Sequence, residues 1–538
     1  MRHILLSCLI AVSIGSASAE SFIIDDFEYT IVEPAETGDD LPYVTIGAAQ
    51  DKHFTSRIVI PATVDYDDIT YTVRGITTYG FADQDELTGV DFPESVTDIA
   101  ASAFARCTSL TTIIIPSGMT TISSGAFQSC SSLESVVLPG SITGIGSYAF
   151  SYCPVLKEIN IEDCKIKRIE DGTFYQTSAL ENIKFPDQVD EIGNLAFAYS
   201  NISGSLNIPF SVSIIGDSAF AFNRSLESVT LPVDIQEIGN SAFASCTSMT
   251  SINLNDILPV YGEGVFENCT NLSHISFNSN IQKIPAFCFA GCTALTEIDI
   301  PDGVTTIGER AFRGCTGINT LTLPYSLTTV EERAFEGCKS ISKIDIHSDN
   351  LTLMSGVFEN LTSLKDVYLH GVRSLGERAF AGCNSLEWIQ LDRILEEIGT
   401  QAFNNCPNLL KIYCEAEWPP VITINTFDTY TEENATLITP TGTKAIYSLA
   451  AYWSRFKKFE ESDEFPCGTG LVGVDEVKIE INNGNLNIIL PIPSRVDVYD
   501  INGIYMGGEN ECLEYEITLP KGIYVLRVDS NSWKINIV

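Results

Sequence analysis

The chain has 538 residues, more than one compact core organises, so several domains or a stack of repeats is expected. With 31 basic against 70 acidic residues its formal net charge is -39, which repels polyanions over the whole surface and sets nucleic acid aside as a partner. Apolar residues at 44% and charged residues at 19% describe a folded chain and exclude an acidic disordered one.

Residues 1–19 read as a cleaved secretory signal, with Arg2, an apolar run from Ile4 to about Ile14, and the small residues Ala17, Ser18 and Ala19. A lipoprotein signal ending at Cys8 is the rival, but a signal core takes about 7 to 15 apolar residues and too few precede that cysteine. No later run approaches the length of a membrane span. An exported protein, held at the cell surface or released, is expected.

From Phe81 to Phe427 a phenylalanine preceded by a short residue recurs sixteen times, and twelve of the fifteen intervals are 23 residues. A fixed period of this size marks a solenoid. One copy reads Phe289, Cys292, Leu295, Ile298, Ile300, Pro301, Val304, Ile307, Gly308. Three-residue steps from Phe predict a short helical turn. Ile298 and Ile300 alternate with Glu297 and Asp299, which predicts a strand with its aliphatic face inward. Pro301 then ends the ladder because it has no amide donor. No copy buries its own aliphatic residues, so neighbouring copies must stack into a shared core with a parallel sheet along one side.

The unit "AFRGCTGINTLTLPYSLTTV" resembles the BspA-like leucine-rich repeat proteins of Bacteroidetes and related microbes, with the match running over about residues 76–430. The segment "DYDDITYTVRGITTYGF" also resembles the strands that lead into those repeats. The expected fold is therefore a leucine-rich repeat solenoid, β-rich α/β with about fifteen 23-residue repeats, followed by a small C-terminal all-β sandwich. The resemblance implies a surface or secreted protein that adheres to other macromolecules, host matrix proteins among them, and has no enzymatic activity.

A solenoid needs covers at both ends. Residues 20–75 are expected as an N-terminal β cap, 76–430 as the solenoid, and 431–461 as its C-terminal cap. Residues 462–470, with Pro466 and two glycines, read as a linker. Residues 471–538 carry seven short alternating or apolar runs, with Asn502-Gly503 as a hairpin signal between the third and fourth. "VDVYDINGIYM", "LPKGIYVLRV" and the terminal "KINIV" resemble C-terminal sorting domains read by the type IX secretion system, although "IILPIPSRV" lacks the Asn-Pro opening and no basic residue ends the chain.

Ten of the sixteen cysteines sit three residues after an anchor Phe, a slot that Thr177, Ser200 and Asn223 fill in other copies. That exchange predicts small buried polar sites with free thiols in preference to disulfides or zinc. Ten residues after each Phe lies an outward strand position, mostly small and polar. Tyr368 and Tyr413 occupy it late in the solenoid, and Trp388 shares their face. These three are the candidate ligand-binding residues, since aromatics on rigid strands anchor protein or sugar contacts; shelter under the C-terminal cap is the alternative. Twelve residues after Phe, proline gives way in the last four copies to His347, His370, Asp392 and Glu415. Side chains about 5 Å apart on adjacent strands could share one divalent ion, or stand as four solvated polar residues at a strand edge. No cofactor motif and no catalytic triad, phosphate loop or zinc-hydrolase spacing occurs, so catalytic residues are expected to be absent. The expected function is recognition of a macromolecule through the sheet face. Glycan binding on the aromatic platform is a second reading, and a spacer that displays the tail a third.

Overall fold

The computed structural model describes residues 20–33, 41–254, 259–466, 478–482, 485–500, 505–520, 522–528 and 531–537. The expected signal peptide, residues 467–470 of the linker and the Asn502-Gly503 hairpin signal lie outside them. The chain divides into two compact units, one comprising residues up to 226 with 230–237, the other 227–229 and 238 onward.

The first unit opens with a sheet of Ser21–Ile24, Phe27–Val32, Tyr43–Ala48, Ile69–Ile76 and Thr63–Tyr66, in that spatial order. Two Asp-Asp pairs make its tight turns: Asp25 and Asp26 have φ of 49° and 73°, and Asp67 and Asp68 have φ of 50° and 63°. Both central residues of such a hairpin turn must be left-handed, a conformation Asp tolerates. Phe22 stacks on Tyr66 at 3.9 Å and on Tyr29 at 5.3 Å inside this sheet. Asp98–Ile99 then adds in parallel, with Ile76 beside Ile99, so the cap sheet leads directly into the coils.

Most coils carry two short strand columns; Ile298 and Ile300, expected on a strand, are buried as predicted but lie outside any strand. Thr112–Ile114, Ser135–Val137 and Glu158–Ile159 pair in parallel, with Thr112, Ser135 and Glu158 as partners one period apart. Arg168–Ile169, Glu191–Ile192 and Ile214–Ile215 form the second column, its isoleucines aligned and buried. Where the Phe-containing segment was expected to wind as a short helix, it is instead a chain of turns. Ala105 N donates to Ser102 O within the coil, while Phe104 N donates to Ala126 O of the next. Ser102 and Arg106 bracket this stretch at φ of 56° and 61°. A backbone that alternates local and inter-coil bonds cannot keep the i→i−4 ladder of a helix. Among the described residues, α-helix is confined to Thr429–Asn434 and Lys444–Leu449.

The anchor phenylalanines are the spine of the interior. In the first unit Phe81, Phe104, Phe127, Phe150, Phe174, Phe197 and Phe220 stack in sequence with centroids 5.2 to 5.9 Å apart. In the second, Phe243 through Phe427 repeat the arrangement at 5.0 to 5.8 Å. The cysteine slot has a matching role. Cys292 Sγ donates to Phe266 O at 3.3 Å and Cys315 Sγ to Phe289 O at 3.1 Å, each reaching the anchor carbonyl one coil earlier. Ser200 Oγ does the same to Phe174 O and Asn223 Nδ2 to Phe197 O, which explains why those residues exchange with Cys. The cysteines whose side chains are described are buried free thiols. Burial pushes Cys153, Cys269 and Cys315 up to about 12, so they remain neutral donors.

At the far end of the coils the Phe stack meets a cover. Phe427 contacts Trp453 at 5.8 Å and Phe456 at 5.2 Å. Trp453 Nε1 donates to Pro420 O and Tyr447 OH to Ala416 O, satisfying the polar ends of two buried rings. Asp428 caps Thr429–Asn434 by accepting from Thr431 N at 2.8 Å. Thr436–Thr439 and Lys458–Glu461 extend the parallel sheet.

The C-terminal strands Lys478–Asn482, Asn485–Asp500, Tyr505–Thr518, Gly522–Val528 and Asn531–Ile537 pair antiparallel throughout. The seven short runs merge into five strands, because "LNIIL" with "RVDVYD", and "IYMG" with "CLEYEITL", are continuous across register shifts near Ser494. Leu486, Ile488, Val496, Val498, Leu519, Tyr524 and Leu526 form their buried cluster.

Candidate functional site

The candidate residues lie where the coil itself changes. In other coils a proline such as Pro116 or Pro139 follows the first strand, Thr112–Ile114 or Ser135–Val137, and its carbonyl accepts a turn amide, from Met119 N or Ile142 N. Histidine at that slot retains its amide, and the ladder continues. Lys343–Leu353 and Asp366–Leu375 are accordingly 11 and 10 residues long, against two to five for the strands of other coils. His347 and His370 are register partners, as are Asp345 and Tyr368. Beyond the histidines the strand turns a corner at Gly371, which has φ of 72°.

Strand alternation sorts the side chains. Ile344, Ile346, Val367, Leu369, Ile389, Leu391 and Ile412 point into the core. Outward, one row runs Lys343, Asp366, Trp388, Lys411, and the next runs Asp345, Tyr368, Gln390, Tyr413. Tyr368 meets Trp388 at 4.7 Å and Trp388 meets Tyr413 at 5.8 Å, both at 83°. The three predicted aromatics are thus one edge-to-face zigzag across three strands. Trp388 and Tyr413 are half-buried, while Tyr368 retains 8% exposure beneath Lys343, whose ammonium sits 4.6 Å from its ring centre. The cap's large rings, Tyr447 and Trp453, turn instead toward Ala416, Pro420 and the end of the Phe stack.

The four-residue polar column divides. His347 and His370 stack with centroids 4.8 Å apart and planes at 8°. Asp392 is engaged elsewhere, accepting from Gly371 N through Oδ2 and from Ile394 N through Oδ1. Glu415 accepts from Gln390 Nε2, and burial raises its carboxyl above the ordinary range. Asp345 takes their place beside the histidines. Its Oδ2 accepts from Lys343 Nζ at 3.0 Å, and its Oδ1 lies 2.9 Å from His347 Nε2, although no aligned hydrogen bond joins that pair. Burial would raise the Asp345 carboxyl, but the His347 ring and the Lys343 ammonium outweigh it and hold the group below its usual value. Burial, reinforced by the neighbouring His347, lowers His370. One ligand atom each from Asp345, His347 and His370 lies within 4.8 Å of the others.

Two features escaped the sequence reading. Asp345 was placed on the outward face but not with the histidines; the alternation Lys343-Ile344-Asp345-Ile346-His347, which puts positions two apart on one face, is the signal. The second is a row of rings just after the anchor Phe. Tyr152, Tyr175, Tyr199 and Phe222 follow one another at 5.3, 5.8 and 4.2 Å. Tyr152 and Tyr199 are exposed, and the last pair stacks at 8°. Their slot was read as part of a helical turn, which concealed that it faces outward from coil to coil.

Comparison with protein families matches the description "BspA type Leucine rich repeat region (6 copies)" to residues 74–203, 203–301, 282–410 and 355–459. Among solved structures, a leucine-rich repeat protein from Bacteroides ovatus is 26% identical with a TM-score of 0.57, covering 82% of this chain and 100% of its own. A leucine-rich cell surface protein from Faecalibacterium prausnitzii is 28% identical, covering 62% of this chain and 96% of its own, with a TM-score of 0.45. A search of curated proteins gives no match.

Proposed function

Because this chain belongs to the BspA-type leucine-rich repeat family, we propose that it is a non-catalytic, exported, adhesin-like binding protein that takes a macromolecular ligand on its strand face. The observation that carries the reading is the Tyr368–Trp388–Tyr413 zigzag, three rings fixed on adjacent strands of a rigid sheet. Lys343, Asp366 and Lys411 flank it, so an apolar centre is rimmed by charges of both signs. That composition fits a protein surface, where aromatic anchors sit inside a polar rim. Export rests on the signal-like residues 1–19, and retention at the cell surface on the C-terminal strands acting as a sorting or anchoring domain. No helix among the described residues is long and apolar enough to cross a membrane.

A glycan ligand is the second reading, favoured by the row Tyr152, Tyr175, Tyr199 and Phe222, in which Tyr152 and Tyr199 are exposed and the other two half-buried, since sugars stack on ring faces. Purified full-length protein applied to arrays of extracellular matrix proteins and of polysaccharides separates the two. A protein ligand whose capture falls at least tenfold in a Trp388→Ala, Tyr413→Ser variant supports the strand face. Capture of polysaccharide alone, lost on Tyr199→Ser, supports the glycan reading. Capture unchanged in both variants ends both.

A further inference from the structure

We propose that Asp345, His347 and His370 bind a divalent transition-metal ion, zinc foremost, through one carboxylate oxygen and two imidazole nitrogens. This rests on the three side chains and is independent of the ligand-binding reading above. The parallel register sets His347 beside His370, and strand alternation sets Asp345 on the same face two residues earlier, so three donors converge without any loop having to position them. Their ligand atoms already lie within 4.8 Å of one another, and zinc bonds of about 2.0–2.2 Å would draw them closer still.

The independent observation is polar bookkeeping around the cluster. His347 Nδ1 and His370 Nε2 are buried atoms without a hydrogen-bond partner, and Asp345 Oδ1 and His347 Nε2, also buried, lie 2.9 Å apart with no aligned hydrogen bond between them. Buried polar atoms are nearly always satisfied, and four such atoms without an aligned hydrogen bond in one cluster, each of a metal-ligating type, call for a shared partner. A proton cannot serve them all, because a neutral imidazole offers one donor and one acceptor and the stacked rings do not face each other edge to edge. Two nitrogens and one oxygen suit zinc or its first-row neighbours and are a poor set for calcium, which takes six to eight oxygens.

The surroundings are consistent with three protein ligands. Lys343 engages Asp345 through Oδ2 and leaves Oδ1 for the ion. Asp392 accepts from Gly371 N and so fixes the backbone immediately after His370. Asp392 and Glu415, the other members of the sequence column, are therefore left outside the ligand set. The nearby cations Lys343 and Arg393 oppose the ion's charge, so neutralising Lys343 should favour binding.

The test uses the full chain, stripped with chelator and titrated with zinc chloride by calorimetry, with cobalt(II) absorption as a second readout. One ion per chain is expected. Asp345→Asn and His370→Gln should each weaken binding at least tenfold, Glu415→Gln should leave it unchanged, and Lys343→Met should leave it equal or tighter. Melting in chelator checks that each variant folds; should His370→Gln not fold, Asp345→Asn decides, because it preserves shape. Absence of binding heat overturns the proposal. So does zinc bound equally by wild type, Asp345→Asn and His370→Gln, which would place it elsewhere, as on thiols. Weakening by Glu415→Gln as large as that by His370→Gln also overturns it, in favour of the longer column.

Discussion

The backbone at Gly371 lies so close to Ser348 that a Cβ added to the glycine would fall 1.6 Å from the Ser348 carbonyl oxygen. Gly371 also has φ of 72°, where a side chain is strained even in open space. Gly371→Ala should therefore lower stability by about 3 kcal/mol or more, read from chemical denaturation. A change below about 1 kcal/mol would mean that the corner after His370 is not built as described.

The thiols give a second prediction. With Cys153, Cys269 and Cys315 raised to about 12 by burial, they present almost no thiolate at pH 8. Alkylation of the folded protein should be slower than that of the denatured chain by about a thousandfold at these positions, followed by mass spectrometry. Cys292→Ser, which retains a donor toward Phe266 O, should cost less than about 1 kcal/mol, whereas Cys292→Ala should cost about 2.

Phe312 lies between Phe289 at 5.6 Å and Phe335 at 5.3 Å. Phe312→Ala should cost about 3–5 kcal/mol, since the neighbouring rings are held by their own coils and cannot close the gap. Hydrogen exchange should show the loss concentrated in the flanking coils, with the amides of Tyr43–Ala48 still protected. Uniform loss along the chain would contradict nearest-neighbour stacking.

Glu415 supplies a pH dependence. Its folded carboxyl is raised by burial, so the folded state holds the proton more tightly than the unfolded chain. Its contribution is then most favourable below the ordinary glutamate value and is lost as pH rises through the folded value. Glu415→Gln should be more stable than wild type at neutral pH, with the difference vanishing in acid. A difference that grows on acidification would reverse the sign and refute the assignment.

The repeat itself was legible because a solenoid writes one local solution many times, and Phe, Leu and Ile recur wherever the interior needs them. The Cys slot was legible for the same reason: exchange with Thr, Ser and Asn identifies a donor site before its acceptor is known. The helical turn was not, because three-residue spacing also describes successive β-turns, and only the inter-coil bonds of residues such as Phe104 distinguish them. At the candidate site the proline-to-histidine change was visible, and so was the shared face of Tyr368, Trp388 and Tyr413. What periodicity could not give was the choice among acidic neighbours. Asp392 turns to a backbone amide and Asp345 toward the rings, a difference set by the corner at Gly371 and by Lys343.

The bond from each thiol to the anchor carbonyl one coil back has a genetic corollary. Excising residues 313–335 would join Phe312 to Glu336 and bring Cys338 opposite Phe289 O, the carbonyl that Cys315 now engages. Unequal crossover in phase with the period therefore yields shorter or longer products that inherit a full set of partners at the junction. A cut half a period out of phase leaves a phenylalanine facing a strand, and such products should be eliminated as misfolded.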